Sequence, residues 1–86
     1  MKEFDAITRA IIEAAKPLFP EWKTFEVRDD FPGYKESLVW DSLEALKDMR
    51  IEGLDIQDTN DILFRVRCRP TVAVNRDEEI LHTSAG

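Results

Sequence analysis

The sequence predicts an α+β domain: a small antiparallel sheet with two helices on one face, in the order α-β-β-α-β-β. Two periodicities and one size limit carry this prediction. Apolar side chains near the N-terminus recur at steps of three and four, which is helical spacing. From Ile62 to Val74 the even positions (Ile62, Phe64, Val66, Cys68, Pro70, Val72, Val74) are apolar or close to it while Arg65, Arg67 and Arg69 line the odd side, which is strand spacing. A chain of 86 residues has room for one core, so residues 1–86 are expected to form a single domain, with 83–86 as a flexible end.

With 43% hydrophobic and 35% charged residues, the composition is that of a folded protein and not of a disordered tail. Cys68 is the only cysteine, so no internal disulfide forms. No apolar run approaches the roughly 20 residues that span a bilayer. The first residues (Met1, Lys2, Glu3, Phe4, Asp5) mix charge signs and lack the form of a secretory signal, so the cytoplasm is the expected location.

The net charge of −6 is unevenly placed: residues 1–61 carry −7, residues 62–76 carry +4 and residues 77–86 carry −3. An acidic chain is repelled by the phosphates of nucleic acid and of anionic lipid. Its one basic segment still acts over a Debye length of about 8 to 10 Å.

In chain order, the first helix is expected over residues 3–16. Phe4, Ile7, Ile11, Ala14 and Leu18 form its apolar stripe, and Pro17 disfavours helical geometry in the residue before it. Residues 24–28 alternate, with Phe25 and Val27 on one side, and residues 35–40 alternate again, with Leu38 and Trp40 on one side. With Asp29, Asp30, Phe31, Pro32 and Gly33 between them, these read as a β-hairpin. A helix that begins earlier, at Ser37, and absorbs Leu38 to Trp40 is the alternative. Asp41 with Glu44 three residues later resembles a capping box, which starts the second helix there, with Leu43, Leu46 and Met49 as its stripe and Gly53 as its stop. Residues 54–61 read as a polar connector that pins Leu54 and Ile56 to the core. The alternating stretch 62–74 has 13 residues; as one strand it would span about 43 Å, too long for a domain of this size, so a bend is expected at Pro70. A turn over 75–78 and a return strand or helical turn over 79–82 complete the chain.

Few residues suggest chemistry. Arg65, Arg67 and Arg69 present planar forks of donors on one strand face, suited to a carboxylate, a phosphate or an acidic partner. Cross-strand pairing with Glu26, Glu36 or Glu79 is the competing and favoured role. Trp22, Phe31 and Tyr34 fall in expected connectors, where large rings often meet partners. Asp55, Asp58 and Asp61 fail as a calcium loop, because its sixth and twelfth positions would hold Asn60 and Val66 instead of Gly and Glu. Cys68 on an apolar strand face reads as a small hydrophobe, and with His82 as the only histidine no metal site, cofactor or nucleophile-base pair is expected.

Two resemblances are local. Asp41-Ser42-Leu43 resembles the Asp-Ser-Leu attachment site of acyl carrier proteins, and the resemblance, which covers about the first 46 residues, implies phosphopantetheine on Ser42. Beyond it, Lys47, Asp48 and Arg50 interrupt the helix where that family continues an apolar face. The order helix, strand, strand, helix, strand resembles KH-type RNA-binding modules, without their Gly-x-x-Gly turn between helices.

The expected function is that of a small non-enzymatic protein-interaction or regulatory accessory protein. Its partner is expected to be a protein, including a second copy of the chain as a homodimer, met through Arg65, Arg67, Arg69, Trp22, Phe31 and Tyr34. Anion or nucleic-acid binding through the arginines and an acyl-carrier role of Ser42 are the alternatives. A short acidic chain of this kind fits an accessory gene of a phage or mobile element.

Overall fold

The computed structural model describes residues 2–74 and 81–83, with side chains over residues 6–72. Helix α1 (Lys2–Ala15) is followed by a short 3-10 turn (Lys16–Leu18), strand β1 (Lys23–Glu26), helix α2 (Glu36–Met49), and strands β2 (Leu54–Asp58), β3 (Leu63–Cys68), β4 (Val72–Val74) and β5 (Leu81–Thr83). The fold is α+β, but the order departs from the expected one: a helix, not a strand, follows β1. Three strands form an antiparallel sheet in the order β1-β3-β2, and β4 pairs with β5 in a separate antiparallel ladder.

Helix α1 lies where its spacing puts it, but its buried stripe is rotated. Ile7, Ile11, Ile12 and Ala15 are sealed, Thr8 with them. Ala14 faces solvent and Leu18, in the 3-10 turn that contains Pro17, is exposed. The pairs 7/11, 8/12 and 11/15 keep one face through i, i+4 steps.

The expected hairpin of 24–28 with 35–40 does not form. Residues 36–49 are one helix because Val39, Ser42, Leu43 and Leu46 fall at i, i+3, i+4 and i+7, and all four are buried. Ser42 hid that stripe by standing for a polar residue on it. Its hydroxyl donates to the Leu38 carbonyl at 2.8 Å, so a buried polar group is satisfied within the helix. Lys35, with extended backbone, stands at the N-cap without a side-chain cap bond, and Asp41 is well inside the helix, so the expected capping box does not exist. The helix also ends before Gly53. Arg50 adopts the left-handed conformation at φ 51° and its N–H donates to the Lys47 carbonyl at 3.1 Å. Gly53, at φ 91°, turns the chain into β2. A Cβ there would come within 3.3 Å of Arg69 and Val72 side-chain carbons, so the position needs glycine for both its dihedral and its space.

Residues 54–58, expected as a connector, are the strand β2. Asn60 Oδ1 accepts from the N–H groups of Ile62 and Leu63, both at 2.9 Å, and so shapes the loop that returns β2 into β3. The long alternating stretch is two strands. Val72 N–H donates to the Arg69 carbonyl at 3.1 Å around Pro70 and Thr71, a tight turn with proline in its second position. The turn expected over 75–78 lies outside the described residues, as do 84–86; Thr83 closes β5.

The core sits on the even face of β3. Phe64, Val66 and Cys68 are sealed there together with Phe25, Val27, Phe31, Val72 and the inward residues of both helices. Phe25 faces Phe64 across the β1–β3 ladder with ring centroids 5.0 Å apart, Phe31 lies tilted against Phe25 at 5.8 Å and stacks on Phe64 at 6.2 Å, and Trp40 of α2 meets Phe64 edge-on at 5.8 Å. Each such pair adds about 0.5 to 1.5 kcal/mol beyond area burial. Ile62, counted by the sequence on this face, lies before the strand and is exposed.

Candidate functional site

With both helices on the even face, the odd face of the sheet has no helix over it among the described residues. Its side chains follow from the register. Arg67 stands opposite Asp55, and Arg65 lies between Gln57 on one side and Thr24 on the other. Arg67 Nη2 and Nε both donate to Asp55 Oδ2, at 2.9 and 3.1 Å, and Arg65 Nε donates to Gln57 Oε1.

Trp22, one residue before β1, completes this surface. The guanidinium carbons of Arg65 and Arg67 lie 4.6 and 4.7 Å from its ring centroid, so one indole spans both arginines. Each contact of this kind is worth about 0.5 to 1 kcal/mol at a partly exposed site. The result is a polar and aromatic platform in which the guanidinium groups are ordered by a carboxylate, an amide and a ring.

The expected three-arginine ladder is therefore a pair. Strand β3 ends at Cys68, and Arg69 turns away so that its guanidinium lies 5.2 Å from the Phe19 ring while its N–H donates to the Gly53 carbonyl at 2.9 Å. The expected acidic partners also differ. Glu36 is held by Arg28 at 2.6 Å, on α2 and not in the sheet. Glu26 is on β1 beside Asp29 and Asp30; desolvation, then the Asp29 and Asp30 charges, push its carboxyl above the ordinary range, with Arg28 opposing. Glu79 lies outside the described residues. The actual partners, Asp55 and Gln57, come from the strand that read as a connector.

The three candidate rings go to three places. Trp22 is on the platform, Phe31 is 5% exposed in the aromatic core, and Tyr34 is half-buried against the core beside the start of α2. Phe31 is thus a packing residue and not a contact residue. Ser42 is sealed, which leaves no opening for a prosthetic group on its hydroxyl. The Cys68 thiol is buried and desolvation pushes its pKa up, with Lys16 opposing, which is the opposite of an activated nucleophile.

The two edges of the sheet differ. At β1, Glu26 N–H donates to Asp30 Oδ2 at 2.7 Å and Asp30 N–H donates back to the Glu26 carbonyl at 2.9 Å, so the chain caps its own edge. At β2, a groove of about 380 Å³ opens between the strand and the end of α2, lined by Leu46, Lys47, Arg50, Ile51, Leu54 and Ile56 among others. Lys47 bridges the two elements, with Nζ 2.8 Å from Asp58 Oδ1 and 3.3 Å from Glu44 Oε2. Burial alone would lower its pKa, but the hydrogen bonds and charges of Asp58 and Glu44 outweigh burial and raise it. The signal for this edge was the alternation of Leu54 and Ile56 with Asp55 and Gln57, which is short and rich in residues that disfavour strands.

Comparison of the chain with protein-family models, with curated proteins and with solved structures finds no match.

Proposed function

We propose that this chain is a small non-enzymatic protein-interaction domain, a regulatory accessory protein that binds a protein partner through the helix-free face of its sheet. One observation carries the reading: Trp22 lies over both Arg65 and Arg67 on the sheet face that the helices leave uncovered. Tryptophan and arginine are the residues in which binding energy concentrates at protein interfaces, and here both are pre-ordered, so little side-chain entropy is lost when a partner arrives. The chemistry favours a protein over nucleic acid. Arg67 and Arg65 already hold Asp55 and Gln57, and the chain is −6 overall, so the field over the wider surface opposes a polyanion. A cytoplasmic setting suits the free Cys68, and no helix among the described residues is long and apolar enough to cross a membrane.

Panning a random peptide library displayed on phage against the immobilised chain, in parallel with a Trp22→Ala, Arg67→Glu variant of unchanged circular dichroism, tests this. Enrichment of a peptide family on the native chain, lost on the variant, is expected. Absence of enrichment, or enrichment equal on both, overturns the reading. Binding of a generic oligonucleotide at low salt, abolished by the same variant, replaces it with the nucleic-acid alternative.

A further inference from the structure

Among the described residues no side chain caps the edge of β2, and this edge is more specific about a partner than the platform is. In an antiparallel pair, residues alternate between those that exchange both backbone hydrogen bonds with the partner strand and those whose N–H and C=O point away. The Gly53 carbonyl accepts from Arg69 N–H, and Thr59 N–H donates to the Leu63 carbonyl at 3.1 Å. Those two contacts phase the ladder: Asp55 and Gln57 bond β3, while Leu54, Ile56 and Asp58 direct their backbone groups outward. Leu54 N–H is taken by the Ile51 carbonyl at 3.2 Å. The Leu54 carbonyl, both groups of Ile56 and the Asp58 N–H face the groove side of the strand.

A sheet edge left this way is normally blocked by a lysine, a proline, a bulge or a capping side chain. Strand β1 has its cap in Asp30; β2, with the sequence Leu-Asp-Ile-Gln-Asp, has no lysine and no proline. Its two acids are each paired within the chain, Asp55 with Arg67 and Asp58 with Lys47, and both pairs are partly exposed, so a carboxylate set directly opposite either one is still repelled while an amide or an apolar side chain is not.

We infer that β2 pairs antiparallel with β2 of a second copy about a twofold axis through Ile56, which joins two three-stranded sheets into one of six strands. This deepens the protein-interaction reading and rests on it. The sequence of the strand is self-complementary in that register alone. Ile56 meets Ile56 of the second copy and the two exchange both backbone bonds. Asp58 N–H donates to the opposite Leu54 carbonyl, twice by symmetry. Asp55 stands opposite Gln57 of the second copy, so a carboxylate meets an amide on the platform face and links the arginine pairs of the two sheets. Centring on Asp55 instead would place two carboxylates directly opposite each other, which is destabilising. Centring on Gln57 pairs fewer strand residues. On the other face, Leu54 and Ile56 are half-buried and line the groove with Leu46 and Ile51, so the second strand covers apolar surface that the monomer leaves partly wet.

Sedimentation equilibrium of the purified chain over a concentration series reads the outcome, together with two variants. Ile56→Pro removes an N–H that β3 does not use. Gln57→Asp keeps an acceptor for Arg65 but sets carboxylate against carboxylate across the twofold. The native chain is expected to sediment at twice its 10.0 kDa mass, and each variant to associate roughly tenfold or more weakly with unchanged circular dichroism. If Ile56→Pro disturbs the fold, Gln57→Asp decides, because its monomer loses no ladder bond. A native chain that stays monomeric up to about 1 mM, the range of weak specific association, overturns the inference, and so does a dimer that Gln57→Asp leaves intact. Either failure is distinguishable from failure of the library result, because Gln57→Asp keeps Trp22 and Arg67, while the panning variant Trp22→Ala, Arg67→Glu keeps Ile56 and its outward backbone groups.

Discussion

Arg67 and Asp55 stand directly opposite each other on β3 and β2, and both donors of the guanidinium converge on one carboxylate oxygen. The pair ties together two strands that the loop at Asn60 joins, and it orders the guanidinium under Trp22. Both side chains are partly exposed, at 39% and 53%, so solvent screens the attraction.

A double-mutant cycle with Asp55→Ala and Arg67→Ala, read by urea unfolding, should give a coupling of about 0.5 to 1 kcal/mol that shrinks at high salt. A coupling of zero at low salt would mean that the opposition on the ladder does not translate into stability.

Phe31 separates packing from interface. Its ring is sealed between Phe25 and Phe64, so Phe31→Ala should lower stability by about 3 to 5 kcal/mol. Trp22→Ala, by loss of its two arginine contacts, should lower it by about 1 to 2 kcal/mol. Thermal melts of the two variants side by side check the ranking, and a reversed order would place Phe31 at the surface.

Ser42 should not accept phosphopantetheine. Incubation with coenzyme A and a phosphopantetheinyl transferase is expected to leave the intact mass unchanged, since the hydroxyl is closed by Leu38 and the helix interior. Ser42→Ala should change stability by no more than about 1 kcal/mol, because the lost hydrogen bond is offset by the better helix propensity of alanine.

Lys47 supplies a pH signature at the α2–β2 junction. Its folded pKa is raised above the ordinary 10.5, so the folded state holds the proton more tightly than the unfolded chain. The stability this contributes is fully present below 10.5 and is lost as pH rises through the folded value. The difference in melting temperature between the native chain and Lys47→Met should be constant at neutral pH and should narrow above pH 10.5. A difference independent of pH would mean that Lys47 acts by packing its methylene stem alone.

Where the signal is local, the sequence was legible. Helical spacing located α1, alternation placed Phe64, Val66, Cys68 and Val72 in the core, and proline chemistry placed the break after β3 at Pro70. Residues 35–40 failed because Leu38 and Trp40 fit both periods over six residues, and the deciding stripe ran through a serine. Residues 54–58 failed because the stretch is short and two of its five side chains, Asp55 and Asp58, disfavour strands.

Alone, then, the sequence determined the fold class, the central strand with its apolar and basic faces, and the acidic balance of the chain, because each depends on side-chain order along a single element. Only the tertiary structure decided which strand lies beside Arg65 and Arg67, that Arg69 leaves the ladder, that Phe31 is core while Trp22 lies half-buried over the arginines, and that among the described residues one sheet edge is capped by a side chain while the other is not. Those are properties of pairing between segments far apart in the chain. Backbone hydrogen bonds are indifferent to side-chain identity, so β2 became a strand only because β3 offered it a ladder and the core accepted Leu54 and Ile56 on one side of it.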